Sequence, residues 1–295
     1  MPVDAERALA SAPRATEISW QHQDVLLYHL GLGAGDPPTD LGELRYALES
    51  ELRVLPSFAT VAGGGPGVMA ALDFPGIDVD WADVLHAGQS VTSHRPIPPI
   101  GSATRTQAVT AVYDKTSAAV LVLRTEAADA QGPLWSCESR LFVRGGGGFG
   151  GERGPSAGGR PPPQREPDHR VSRHTRPEQA LLYRLSGDRN PLHADPRFAR
   201  RAGFDRPILH GLCSYGIALK AVVDTVLAGD VTRVRSCATR FSGVVFPGET
   251  LRMALWRETD QAVRLEATVE PGTVGGDEVG RSGAPVLADM LVEHV

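Results

Sequence analysis

Three observations predict an α+β fold built from two similar halves. A Gly- and Pro-rich strip, Gly145 to Pro167, splits the 295-residue chain near its middle. Each half opens with an apolar helical pattern. Each then closes in alternating, β-branched runs, the mark of antiparallel strands. Helices followed by strands, rather than interleaved with them, give the α+β layout. At this length either half can bury a core of its own.

The helical openings look like copies. Ser19 to Gly31 reads SWQHQDVLLYHLG and Thr175 to Ser186 reads TRPEQALLYRLS, so Leu26-Leu27-Tyr28 aligns with Leu181-Leu182-Tyr183 and Leu30 with Leu185. In the second copy Thr175 is placed as N-cap, Pro177 sits in the first turn, Glu178 completes a capping box and Gly187 ends the helix. In the first half, strands are expected at Ser102 to Val112, Ala118 to Thr125 and Leu134 to Val143. The second half repeats the pattern at Val234 to Val245, Thr250 to Arg257, Ala262 to Glu270 and Ala284 to Val295. Asp114-Lys115 and Thr259-Asp260 fall at the hairpin turns.

Between helix and strands in the second half, Ile208 to Ala228 is apolar nearly all round. Such a helix is buried, here inside a curved sheet, with Gly229 as its C-cap. The matching stretch of the first half, Pro56 to Leu72, is interrupted by Gly63-Gly64-Gly65-Pro66, which would break a helix. A broken helix there would leave room for a bulky ligand. The strip from Gly145 to Pro167 cannot bury enough apolar surface to fold alone and reads as a flexible linker. The domains expected are therefore residues 1–144, a linker at 145–167, and residues 168–295.

Composition removes several function classes. A formal net charge of −5 gives no basic footprint for nucleic acid. Cys137, Cys213 and Cys237 form no CxxC and pair with no His at metal-ligand spacing, so reduced thiols in a cytoplasmic protein are expected. Met1 to Arg14 lacks an apolar signal region, no apolar run is long enough to span a bilayer, and the closing Glu293-His294-Val295 is no peroxisomal address. Gly31, Gly33 and Gly35 lack the strand–turn–helix setting of a dinucleotide site. The Gly145–Gly151 run is followed by no Lys-Ser/Thr. No metal, nucleotide or flavin site is expected.

The chemistry concentrates in YRLSGDRNPLHADPRFARRAGFDRPILHGL, Tyr183 to Leu212. Taken singly, Asp188 could be a turn residue, Asn190-Pro191 a turn dipeptide, His193 a structural histidine and Asp195 a cap. Together, a carboxylate, an amide and an imidazole fall within six residues of a loop stiffened by Pro191, and can converge on one point. Adding water across a polarised double bond needs that set: proton acceptor, proton donor and a group that orients the water. His210-Gly211 opens the buried helix. Gly lets a ligand approach closely, and the helix N-terminal N–H groups suit a thioester oxygen that gains negative charge.

These residues resemble the hydratase 2 motif of the MaoC-like family, R-specific enoyl-CoA hydratases with a hot-dog fold. The match runs through Tyr183, Gly187-Asp188, Asn190-Pro191-Leu192-His193, Asp195-Pro196, Ala202-Gly203-Phe204, Pro207 to Leu212 and Phe246 to Leu251. The first half, through Glu43 to Tyr46, Leu55 to Phe58 and Phe142 to Gly145, resembles the amino-terminal half of double hot-dog hydratases. The resemblance implies two repeats, each a long central helix wrapped by a curved antiparallel sheet, with only the second catalytic. With the copies aligned, Gly33, Gly35 and Pro38 stand opposite Asp188, Asn190 and His193 and can do no proton chemistry. It further implies an acyl-chain pocket in the first half, an acyl-CoA substrate, a homodimer, and reversible syn hydration of trans-2-enoyl-CoA. In that reaction Asp188 and His193 move protons, Asn190 orients the network and the Gly211 N–H binds the thioester oxygen. Two other readings stay open: a hot-dog acyl-CoA thioesterase, and a non-catalytic acyl-thioester-binding subunit.

Overall fold

The computed structural model describes residues 2–64, 67–156, 158–274 and 277–295. The strands are β1 (Arg14–Trp20), β2 (Val84–Ser93), β3 (Gly101–Asp114), β4 (Ala118–Asp129), β5 (Gly132–Arg144), β6 (His169–His174), β7 (Val234–Phe241), β8 (Thr250–Thr259), β9 (Ala262–Glu270), β10 (Gly272–Val274), β11 (Asp277–Val279) and β12 (Ala284–His294). The helices are α1 (Ala5–Leu9), α2 (His22–Gly31), α3 (Leu41–Leu44), α4 (Gln179–Tyr183), α5 (Pro196–Arg201) and α6 (Gly211–Val226).

Ten strands form one antiparallel sheet in the order β1-β3-β4-β5-β2-β7-β12-β9-β8-β6. Read outward from the middle, each half has the same order, so β2 corresponds to β7 and β1 to β6. The two halves join where β2 and β7 pair antiparallel, with Gln89 opposite Thr239 and Val91 opposite Cys237. Equivalent strands paired antiparallel relate the halves by a local two-fold. An Asp-capped turn precedes each of the joining strands. Asp80 accepts from the Ala82 N–H before β2, and Asp230 accepts from the Thr232 N–H before β7.

Helix α6 runs through the centre, with every residue from Leu212 to Val223 buried. A Cβ at Gly216 would stand 2.7 Å from both Leu32 Cδ2 and Tyr28 Oη, so this glycine lets the α2 region close on α6. The copied helices α2 and α4 face each other. Their rings Tyr28 and Tyr183 lie 5.9 Å apart, and Gln179 Nε2 donates to the Gly31 carbonyl at 3.0 Å. A buried ion cluster adds a second tie, where Lys220 of α6 donates to Glu43 at 2.7 Å and to Asp224 at 2.8 Å. The Tyr46 hydroxyl completes it by donating to Asp224 at 2.8 Å.

This is a double hot-dog, but the two central segments differ. Where the second half has α6, the first has 3₁₀ turns at Pro56–Thr60 and Gly67–Asp73. Gly63 and Gly64 adopt φ of +75° and +62°, a left-handed backbone that ends helical hydrogen bonding. Gly65 and Pro66, the rest of the expected breaker, lie outside the described residues. Thr175 is not the N-cap expected of it: its hydroxyl donates to the Glu249 carbonyl at 2.7 Å, and α4 starts only at Gln179. The strand expected to reach Val245 ends at Phe241; Ser242 still donates to the Val286 carbonyl at 2.9 Å, and at Gly243 the chain passes so close to the Pro285 oxygen that a Cβ would stand 2.2 Å from it.

The described residues of 145–167 hold no helix or strand, yet they are tied down. Gly148 and Gly150 donate to the Asp114 carboxylate at 2.9 and 2.7 Å, Lys115 donates to Pro155 O, and Trp256 Nε1 donates to Arg165 O. Among the described residues no helix is long and apolar enough to cross a membrane.

Candidate active site

The loop after α4 is built to present Asp188. Gly187 takes φ +135°, a conformation closed to most side chains, and turns the chain just before it. Asp188 Oδ1 then accepts the Asn190 N–H at 3.1 Å. Asn190 Oδ1 accepts the Leu192 N–H at 3.0 Å and so caps the 3₁₀ turn Pro191–His193, with Pro191 at its first position. The turn residues of the sequence reading and the site residues are therefore the same residues. Asn190 and His193 are buried, and Asp188 is half-buried.

His193 has its tautomer fixed by geometry. Its Nδ1 lies 2.8 Å from the Ile208 carbonyl oxygen, which can only accept, so Nδ1 carries the hydrogen and Nε2 keeps a lone pair. Burial lowers the pKa of this imidazole, against the opposing pull of the Asp188 charge and the Ile208 hydrogen bond. It is a neutral base at neutral pH.

His210 packs flat against it, with ring centroids 3.7 Å apart and planes 27° from parallel. Its Nε2 donates to the Asp188 backbone carbonyl at 3.1 Å, and the Tyr183 ring lies 4.9 Å away. Candidate ligand atoms of Asp188, His193 and His210 fall within 4.8 Å of one another. Stacked imidazoles, however, carry their lone pairs side by side in near-parallel planes. They do not converge on one ion at the ~2.0–2.1 Å that a metal–nitrogen bond requires. His210 begins the helix α6, and neither Gly211 nor Leu212 donates its N–H to another described residue. Two free donors at the positive end of a buried helix are a ready site for a developing oxyanion.

Two hollows, about 550 and 320 Å³, meet at Met69, Asp188 and Asn190. The larger is walled by Leu27, Phe58, Val61, Gly63, Gly64 and Trp81 of the first half and by the loop from Leu185 to Asn190. The smaller holds His193 and Gly211 and is closed by His86, Phe142 and Phe241. The structure thus brings together Asp188, Asn190, His193 and Gly211. It adds His210, named in the motif but given no task, and the first-half walls Phe58, Val61, Met69 and His86. Phe58, Val61 and Met69 carry no sequence signal, since nothing in an apolar residue tells a cavity wall from a core position, and His86 stands in no motif.

Residues 159–277 match the family model of the MaoC like domain, and residues 18–145 that of the MFE-2 hydratase 2 N-terminal domain. The enoyl-CoA hydratase ChsH3 of Mycobacterium tuberculosis is 47% identical over 88% of this chain and 91% of its own. The peroxisomal enoyl-CoA hydratase 2 of Arabidopsis thaliana is 38% identical over 86% of this chain and 87% of its own. A solved MaoC-like dehydratase from Phytophthora capsici superposes with a TM-score of 0.85 at 30% identity, covering 99% of this chain and 98% of that one.

Proposed function

The chain belongs to the MaoC-like hydratase 2 family, and from that premise we propose that Asp188 and His193 carry its proton transfers. The enzyme is a hydro-lyase, an R-specific enoyl-CoA hydratase and, in reverse, a 3-hydroxyacyl-CoA dehydratase. The observation that carries the assignment is the fixed tautomer of His193, which leaves Nε2 as the ring's proton acceptor in a cluster where a ring nitrogen and an Asp188 carboxylate oxygen lie within 4.8 Å.

In the hydration direction a water lies between the two. Asp188 accepts a hydrogen bond from one water O–H, which stays on the oxygen and becomes the new hydroxyl, while His193 Nε2 takes the other hydrogen as a proton as the oxygen bonds to C3 of the enoyl group. The C2–C3 π electrons shift towards the thioester carbonyl, whose oxygen receives the N–H of Gly211. Losing one such donor typically costs about 2.7–4 kcal/mol of transition-state stabilisation. The imidazolium then returns its proton to C2 on the same face. H and OH have added syn, no net proton is consumed, and the site is regenerated. Asn190, whose Oδ1 is engaged by the loop, holds its amide nitrogen towards this network.

The acyl chain is assigned to the hollow of about 550 Å³, with residues 1–144 supplying most of its wall, residues 145–167 the connection and 168–295 the chemistry. No metal or other cofactor is required by these steps; the CoA thioester is substrate. A homodimer of double repeats, by analogy with other hot-dog proteins, and a cytoplasmic site of action complete the proposal.

The test is hydration of a trans-2-enoyl-CoA, followed by loss of enoyl-thioester absorbance with chiral analysis of the product. Asp188→Asn keeps an oxygen for the Asn190 N–H, so the loop survives while the carboxylate is gone. Turnover should fall at least about a hundredfold, as for a proton-transfer group. A folded Asp188→Asn enzyme with near-normal rate refutes the assignment.

A further inference from the structure

We propose that His210 is a positioning residue, holding the proton-transfer pair at a set distance from the donor of the thioester oxygen. The inference rests on the roles given above to Asp188, His193 and Gly211. Three contacts carry it. The ring donates from Nε2 to the backbone carbonyl of Asp188 at 3.1 Å. The same ring lies on the face of His193 at 3.7 Å. The residue itself immediately precedes Gly211, and its own carbonyl accepts the N–H of Cys213 at 3.0 Å, which fixes the first turn of α6. One residue therefore joins the carboxylate loop and the imidazole, through its side chain, to the start of the helix, through its backbone.

The loop needs this hold. Gly187 gives Asp188 a permissive hinge on one side, and among the described residues the only other hydrogen bond of Asp188 is with Asn190, within the loop itself. The His210 bond is what ties Asp188 to a different element. His210 is also suited to a fixed rather than a titrating part. It is 1% exposed, and burial together with the neighbouring His193 holds it well below the ordinary imidazole range. Its Nε2–H donor is present throughout neutral pH. The ionisable groups around it are His193, Asp188, Tyr183 and Arg184. His210 is given no contact with the substrate, so it is a positioning residue rather than a catalytic one.

The test uses crotonyl-CoA and three variants of the full chain. His210→Phe keeps a stacking ring and deletes the donor. His210→Gln keeps an amide N–H able to reach the Asp188 carbonyl. His210→Asn keeps the polarity but is too short. A misplacement approaching 1 Å costs on the order of a hundredfold, so kcat should fall about 30- to 100-fold in the Phe and Asn variants while KM stays within about threefold. Gln should return kcat to within about fivefold of the parent. The proposal is overturned if a folded Phe or Asn variant keeps kcat within threefold, if Gln is as slow as Phe, or if the whole loss lies in KM. The Asn variant decides the matter where Phe does not fold. Asp188→Asn in the same assay separates the two readings. If it is active, the catalytic assignment falls. If it is inactive while His210→Phe works normally, only the positioning role falls.

Discussion

Replacing Gly211 by Ala perturbs the carbonyl contact without touching the proton groups. An added Cβ would stand 3.2, 3.3 and 3.4 Å from three ring atoms of Phe241. The best carbon–carbon separation is about 3.5–4.0 Å, so the ring or the helix start must give by roughly 0.3 Å or more. Phe241 is not free to take all of it, because its ring already packs on His86 with centroids 4.8 Å apart. Part of the displacement therefore reaches the Gly211 N–H. An oxyanion donor works within a window of about 2.7–3.1 Å, so a shift of that size is most of the tolerance. Complete loss of such a donor costs about 10²–10³ in kcat, and partial loss should cost about 10- to 100-fold. The assay is kcat by enoyl-thioester absorbance, read beside KM and Tm. Thermal stability should fall by only a few degrees, since the new contact is with one side chain. Phe241→Leu added to Gly211→Ala should restore at least half of the lost log rate. A folded Gly211→Ala enzyme within threefold of the parent would show that neither this glycine nor the placement of its N–H matters to the reaction.

Three further outcomes concern the frame that holds the site. Lys220→Met strips the cation from Glu43 and Asp224, whose side chains are 12% and 23% exposed. Breaking a buried pair costs about 3–5 kcal/mol, and partial access to water puts this one near 3; a urea midpoint reports it. Adding Glu43→Gln and Asp224→Asn should recover more than half, while a loss under about 1 kcal/mol would remove the cluster as a tie between the halves. His29, buried with Nδ1 at 3.0 Å from the Tyr46 carbonyl and Nε2 accepting from Leu55, is lowered by burial from 6.5 to about 3. Folded His29 stays neutral while the unfolded chain binds a proton below about pH 6.5. Its contribution is complete above that pH and is lost towards pH 3 at up to about 1.4 kcal/mol per unit. Denaturation between pH 6 and pH 4 should show a shallower slope in His29→Gln, and an unchanged slope would place the protonation elsewhere. Asp114, held below the ordinary carboxylate range by the N–H groups of Gly148, Thr116 and Gly150, pins the linker. Asp114→Asn should speed proteolytic cleavage within residues 145–155 severalfold at unchanged activity, and equal cleavage rates would show that the linker is held by other contacts.

The convergence of the candidate loop was legible because its geometry is local. Asp188, Asn190 and His193 lie within six residues, and the hydrogen bonds that shape the loop, Asn190 to Asp188 and Leu192 to Asn190, span only two. The contact of His210 with Asp188 crosses 22 residues, so the motif supplied the residue but not its task. Strands β3, β4, β5, β8, β9 and β12 showed themselves by alternation. The edge strands β1 and β6 did not, because RATEISW and HRVSRH expose most of their side chains and carry no apolar period. Ser19 and Trp20 were read into the helix for that reason. A fainter signal is present in the sequence: DWADV at Asp80 and DVTRV at Asp230 are the same capped turn before equivalent strands. An Asp followed four residues later by Val is common, and only the pairing of β2 with β7 gives the repeat its meaning.

The asymmetry of the two halves follows from what a central helix can do. In the second half α6 fills the core and, in the proposed mechanism, offers its first N–H to the reaction. The first half has no proton residues opposite that position, so a helix start there would serve no chemistry, and the segment is free to break at Gly63 and Gly64. The resulting hollow of about 550 Å³ is too large to be a sealed, dry void. At about 24 cal/mol per Å³ an empty cavity of that size would cost roughly 13 kcal/mol, comparable with the whole stability of a typical domain. Ser19, Asp24, Ser186 and Asn190 among its walls make the space wettable, and its edge is open to solvent. A long α6-like helix would refill the space with its own side chains and exclude the acyl group. On the proposed placement, an apolar acyl tail entering the hollow instead covers Phe58, Val61, Met69 and Leu27, so the surface that the broken helix leaves uncovered becomes the driving force for substrate binding.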